Sequence, residues 1–300
     1  MRVTYIHTNT VLSSWTLWSG ASTLERAGYD VQDVAIPCND LGQVLPCPRL
    51  CVSGPELDTS DVVLVAGPEY VHGWITGIWG ERWPRSKAVG LILESTRLPG
   101  SRLPFGHARS LVSRAFWTDP RDGQVCPAGV DCEMFRPGTR AKRGTGFVGT
   151  LYPARARFLA ALNRHLQDPV VACDPQVRDK LGRPMPFEWT EFYRDCLRNL
   201  EILVSLPSQN PCTVARPFEA LACGTFLLEA TELPAPFVSG AHYVKYDPAN
   251  LPDLAAKVRH YREHPVERES IAKAGLECML EHFKVEQVWT KILAPGPDLS

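Results

Sequence analysis

The segment Val62-Val-Leu-Val-Ala66, closed by Asp61 before it and Gly67 after it, places five apolar residues in a row with no polar alternation. A strand that is apolar on both faces needs cover on both faces, and a parallel sheet with helices above and below supplies it. The flanking sequence fits that arrangement. Arg2 to His7 alternates as a strand, and Ser13 and Ser14 stand where they would cap a helix from about Trp15 to Ala27 that stops at Gly28. Asp30 to Ile36, Ala88 to Glu94 and the apolar stretch Ala115 to Trp117 read as further strands. Strands alternating with helices in this way predict a doubly wound α/β sheet that takes ligands at the carboxyl ends of its strands.

A second set of β-α units follows. Between Gly138 and Gly144 the chain is basic and glycine-containing, with Arg136, Arg140, Lys142 and Arg143 nearby, and reads as an interdomain linker. The strand Gly146-Phe-Val, ending on Gly149, then leads into a helix from Arg155 to Leu166 whose apolar residues Phe158, Leu159, Leu162 and Leu166 keep helical spacing. Later come the strand Glu201 to Ser205, a helix from Thr213 to about Cys223, the strand Thr225 to Glu229, and amphipathic helices near Asp253 to Glu263, Val266 to Glu281 and Lys284 to Leu293. The expected division is two Rossmann-like domains, residues 1–138 and 139–300.

Composition removes several function classes. The 32 lysines and arginines are matched by 33 acidic residues, so no overall positive field attracts a nucleic-acid backbone. No apolar run approaches the length of a membrane span, and no secretory leader is visible after Met1, so a cytosolic protein is expected. The ten cysteines are scattered through a chain large enough to build its own core and are expected to be reduced. Cys38, Cys47 and Cys51 form the one cluster worth testing for a metal, but no CxxC pair or neighbouring histidine completes a zinc pattern.

The strongest chemical constellation is Thr213-Val-Ala-Arg216-Pro-Phe-Glu219-Ala-Leu-Ala-Cys-Gly224, followed at once by an apolar strand. On a helix Thr213, Arg216 and Glu219 recur every third residue, while Phe218, Leu221 and Ala222 turn towards the sheet. A carboxylate there can accept from two vicinal ribose hydroxyls, and an arginine offers a fixed fork to phosphate. An ordinary surface ion pair between Arg216 and Glu219 is the plainer alternative.

This run resembles the nucleotide-sugar signature of GT-B glycosyltransferases, with the flavour of the spore-maturation-protein-like branch related to family-four enzymes. Three further segments resemble that family in the expected order: Gly129-Val-Asp-Cys-Glu-Met-Phe-Arg-Pro137 an interdomain stretch, Gly146 to Arg155 the first strand and phosphate loop of the donor domain, and Val238-Ser-Gly240 to Tyr246 a late donor-domain segment. The resemblance implies two Rossmann-like domains with a cleft between them, a last helix that crosses back to the N-terminal domain, and transfer with retention of configuration. It makes Gly149, Thr150, Tyr152, Arg155, Thr213, Arg216 and Glu219 the donor-binding set, with Glu219 on the ribose and Arg155 on the diphosphate. The second glutamate of family-four enzymes, eight positions earlier, is missing: Pro211 stands there.

No cofactor or metal is expected beside a nucleotide-sugar donor such as a UDP-sugar, because arginines and a helix dipole can stabilise the departing nucleoside diphosphate. In the N-terminal half His7, Asn9, His72, Glu94 and His107 lie near strand ends or loops, and Glu94 and His107 are the catalytic candidates. Trp74, Trp79 and Trp83 either stack on an acceptor or pack the core. The acceptor stays open among small metabolite, glycan, protein and modified nucleic-acid base. Two other readings of the same scaffold are a nucleotide-sugar epimerase and a noncatalytic nucleotide-sugar or partner-binding module.

Overall fold

The computed structural model of the 300-residue chain describes residues 1–8, 20–36, 57, 59–66, 68–92, 110–117, 129–149, 151–173, 188–207 and 215–294. The chain divides into two compact units. One holds Met1–Gly129 and Val285–Ser300, the other Val130–Gln209 and Val214–Lys284.

The first unit is built on β1 (Arg2–Thr8), β2 (Asp30–Ile36), β3 (Val62–Ala66), β4 (Ala88–Ile92) and β5 (Arg114–Trp117), all parallel in the order β2-β1-β3-β4-β5. The apolar run of β3 divides its side chains between two cores, as a doubly covered strand must. Leu64 and Ala66 pack with Leu24 of α1 (Gly20–Arg26), while Val63 and Val65 pack with Trp74 and Ile75 of α2 (Pro68–Ile78). The helix α1 ends as expected at Gly28, whose φ of 89° is available to glycine at little cost.

The second unit repeats the plan with β6 (Thr145–Val148), β7 (Val171–Cys173), β8 (Ile202–Ser205), β9 (Phe226–Glu229) and β10 (Val244–Lys245). Their parallel order is β10-β9-β8-β6-β7, so in each sheet the first strand sits between the second and the third. The helices are α3 (Pro153–Asn163), α4 (Glu188–Asn199), α5 (Arg216–Ala222), α6 (Leu251–Glu263) and α7 (Pro265–His282). One core joins Phe147, Ile202, Val204, Phe226 and Leu228 of the strands to Leu159 and Leu162 of α3 and Leu254 and Val258 of α6.

The last helix, α8 (Val285–Leu293), belongs to the first unit. Val285, Val288, Trp289, Ile292 and Leu293 share a core with Val3, Tyr5 and Phe116, and the fully buried Trp289 donates its Nε1–H to Thr23 Oγ1 at 2.7 Å. Gly129 lies so close beneath that a Cβ there would sit 2.6 Å from Val288. No helix among the described residues is long and apolar enough to cross a membrane.

Candidate functional site

The order of the second sheet reverses between β6 and β8, and in open α/β sheets that switch point, outside the carboxyl ends of the strands, is where ligands bind. Gly149 follows β6 directly. Its N–H donates to the carbonyl of Cys173 at the end of β7 (2.9 Å), its φ is 144°, and a Cβ there would lie 2.6 Å from Arg216 Nη2. Glycine is favoured because of that positive φ, and any side chain would also have to displace the Arg216 guanidinium.

Two arginines meet over one aromatic ring. Arg216, the first residue of α5, stands 5.3 Å from the centroid of Phe147, and Arg155, in the first turn of α3, stands 5.4 Å from the same centroid and 5.0 Å from that of Tyr152. Arg155 is anchored across the switch point by donating through Nε and Nη2 to Pro207 O, just past β8, at 3.3 and 3.0 Å. Burial and then the neighbouring Arg216 charge push the Arg155 pKa below the usual arginine value. The Nε and Nη1 of Arg216 are buried and make no hydrogen bond to the described residues. Two guanidinium groups held together, one with buried donors in hand, form an environment that a diphosphate would relieve.

Glu219 lies one turn along α5 and is 4% exposed. It makes no ion pair with Arg216, which overturns the surface-pair alternative. Its Oε2 instead accepts a hydrogen bond from the Tyr193 hydroxyl of α4, while Oε1 accepts none from the described residues. Burial raises the Glu219 pKa to about 7, against the opposing pull of the Tyr193 hydrogen bond and the Arg216 charge. A second buried carboxyl, Glu229, ends β9 and accepts from the Thr231 N–H (3.0 Å) and hydroxyl (2.8 Å) through Oε1. Its pKa is raised by burial and drawn back by Ser205, Thr231 and Arg216.

The two helices that carry these groups are tied at their C-termini by one lysine. Lys142 Nζ donates to Arg198 O near the end of α4 (2.8 Å), to Cys223 O just past α5 (3.0 Å) and to Thr225 Oγ1 (2.8 Å). A cation there satisfies terminal carbonyls and complements both helix dipoles. Desolvation lowers its pKa to about 8.

Of the sequence-derived donor set, Gly149, Tyr152, Arg155, Arg216 and Glu219 therefore converge on one edge of the second sheet, and Thr150 and Thr213 lie outside the described residues. So do Asn9, Glu94 and His107, as do Cys38, Cys47 and Cys51, and the same holds for the side chain of His72. His7 is paired with Asp33 at 2.9 Å and stacked on Tyr5. Trp74 and Trp79 are core residues, 7% and 5% exposed, and Trp83 donates to Leu111 O at 2.6 Å. Among the described residues no group of three or more His, Cys, Asp or Glu could hold a metal. Sequence reasoning missed Tyr193, Lys142 and Glu229. Lys142 sits in a stretch whose composition resembles a linker, Glu229 stands at a strand end, and nothing in the spacing of Tyr193 marks a residue 26 positions from its partner.

Comparison with known proteins adds to this geometry. Residues 155–294 match the family described as "Glycosyl transferase-like". A curated D-inositol 3-phosphate glycosyltransferase from Geodermatophilus obscurus is 35% identical over 114 residues, which are 33% of this chain and only 24% of that relative. Among solved structures, Anabaena Alr3699/HepE in complex with UDP and glucose superposes with a TM-score of 0.65 at 12% identity, covering 97% of this chain and 98% of the other. Sucrose-phosphate synthase from Thermosynechococcus elongatus gives 0.59 at 11% identity, covering 97% of each chain. The chain has the α/β architecture of two parallel-sheet, Rossmann-like halves found in GT-B glycosyltransferases, and the stretch similar to the glycosyl transferase-like family lies in its C-terminal half.

Proposed function

We propose that the chain transfers a glycosyl group from a nucleoside diphosphate sugar, a UDP-sugar in the first instance, to an acceptor still to be identified. The observation that carries this reading is the pairing of Arg155 and Arg216 at the Gly149 turn with Glu219 beside them. The diphosphate would lie against the two guanidinium groups, using the buried Arg216 donors. The open Oε1 of Glu219 would accept from the ribose. Negative charge on the departing nucleoside diphosphate would then meet fixed cations in a partly desolvated site, the form of electrostatic stabilisation that lowers such barriers most. Charge supplied by arginine favours a reaction that needs no metal or other cofactor, and the family-four resemblance favours retention of configuration and the spore-maturation-protein-like branch. The UDP complex of a neighbour with the same fold supports uridine as the first nucleoside to try.

Calorimetric titration with a panel of nucleoside diphosphates and nucleotide sugars tests the assignment, repeated with Glu219→Ala and Arg155→Ala. Selective binding weakened by both substitutions, on the order of 10-fold or more for a lost charged hydrogen bond, is expected. Failure of the whole panel to bind, or binding indifferent to both changes, would sink it.

A further inference from the structure

We propose that Tyr193 is the positioning residue for Glu219, holding one carboxylate oxygen so that the other faces the ribose hydroxyls of the donor; this rests on the donor-site reading above. Tyr193 donates to Oε2, and Oε1 accepts no hydrogen bond from the described residues, so the side chain assigned to the ribose is held before the ligand arrives. The phenol is itself held. Its ring stands edge-on to the buried Phe135 at 6.2 Å and 83°, and α4 is anchored at its C-terminus by Lys142. Burial, then the Glu219 charge, keeps the Tyr193 hydroxyl protonated well beyond its ordinary range, so it remains a donor.

The energetic role follows from burial. A carboxylate that is 4% exposed resists ionisation, and a hydroxyl that bonds the charged form more strongly than the neutral one counters that resistance. Among the described residues, the charged or titratable groups around Glu219 are Tyr193 from α4 and Arg216 and Cys223 from its own helix and helix end. Behind them Lys142 and Arg198 face Cys223, and Glu229 faces Arg216 from β9. Burial lifts the Cys223 thiol to about 12, so it stays neutral throughout. Ribose hydroxyls bind the ionised carboxylate, so donor binding draws a proton off Glu219 wherever the free protein still holds one.

The probe is UDP-glucose, which lacks the terminal phosphate whose own ionisation near pH 6 would confuse the result. Calorimetry from about pH 5.5 to about pH 8.5 is expected to show binding that strengthens up to a midpoint near 7, with release of up to about one proton per UDP-glucose below it. Tyr193→Phe removes one oxygen from a partly buried residue; its folding is checked by thermal unfolding. It should move the midpoint upward by about one pH unit, the size of a hydrogen bond to a charged group. Glu219→Gln should show no such midpoint. A Tyr193→Phe midpoint equal to that of the unsubstituted protein overturns the positioning role, as does an unsubstituted protein that releases no proton on binding, a measurement that needs no variant. If UDP-glucose binds at no pH, or Glu219→Gln follows the unsubstituted profile, the donor site itself has been misassigned.

Discussion

Burial makes Glu219 an acid that the folded chain prefers to keep protonated. Its pKa is near 7 in the folded state, whereas the unfolded chain releases the proton near 4.5. Between those values the folded state binds more protons than the unfolded one, so the Glu219 contribution to stability is fully present below about pH 4.5, falls as the pH rises to about 7 and is level above. The full span corresponds to about 3 kcal/mol at one pKa unit per 1.36 kcal/mol. Denaturant unfolding at about pH 5 and about pH 8 should therefore show a smaller loss of stability with rising pH in Glu219→Gln than in the unsubstituted protein. Equal pH dependence in the two would mean that the carboxyl is solvated in the folded chain. A residue kept in this state at a cost in stability is better explained by ligand recognition than by folding.

At the scale of elements, the strands were legible because burial writes itself into sequence as apolar runs. Val62 to Ala66 and Phe226 to Leu228 have no other economical environment, and the expected strands agree with the observed spans to within about two residues, while the short β7 and β10, too brief to carry an apolar run, went unread. The arginine and glutamate of α5 were legible because three-residue spacing carries over directly to a helix face. What could not be read is the side-chain network that joins separate elements. Tyr193 reaches Glu219 from another helix, and Lys142 looks from its neighbours like part of a solvated basic tract, yet it turns inward to three oxygens. Lys142→Met, close in length but without donors, should leave two helix-end carbonyls unmet and cost about 1–3 kcal/mol in denaturant unfolding, with weaker nucleotide-sugar binding because both α4 and α5 are loosened. Unchanged stability would mean that water replaces the ammonium there without penalty. Gly149→Ala acts on the β6 turn instead. Its Cβ would strike the Arg216 guanidinium, and its backbone would be strained at φ 144°, so a loss of nucleotide-sugar affinity at least as large as that of Arg216→Ala is expected by calorimetry.

For the molecule as a whole, the chain order and the core order differ, because α8 follows the second unit in sequence and completes the core of the first. That helix was legible as amphipathic, but its destination was suggested only by the family resemblance, since periodicity tells which face is buried and not against what. The arrangement predicts an uneven response to a substitution near the C-terminus. Trp289 is fully buried among Val3, Tyr5, Leu64 and Phe116 and holds Thr23 through its indole N–H, whereas Gly149, Tyr152, Arg155, Arg216 and Glu219 belong to the second unit. Trp289→Ala leaves a large cavity in the first core and removes the indole hydrogen bond to Thr23, whose hydroxyl keeps its bond to Gly20 O, a change that costs about 3–5 kcal/mol in comparable sites. Amide hydrogen exchange should then quicken throughout β1 to β5 while β6, β8 and β9 keep their protection, and UDP-glucose should still slow exchange around Gly149 and α5. Loss of protection in both sheets together would show instead that the two units fold as one cooperative body, in which case the C-terminal helix supports the donor site as well as the core it packs in.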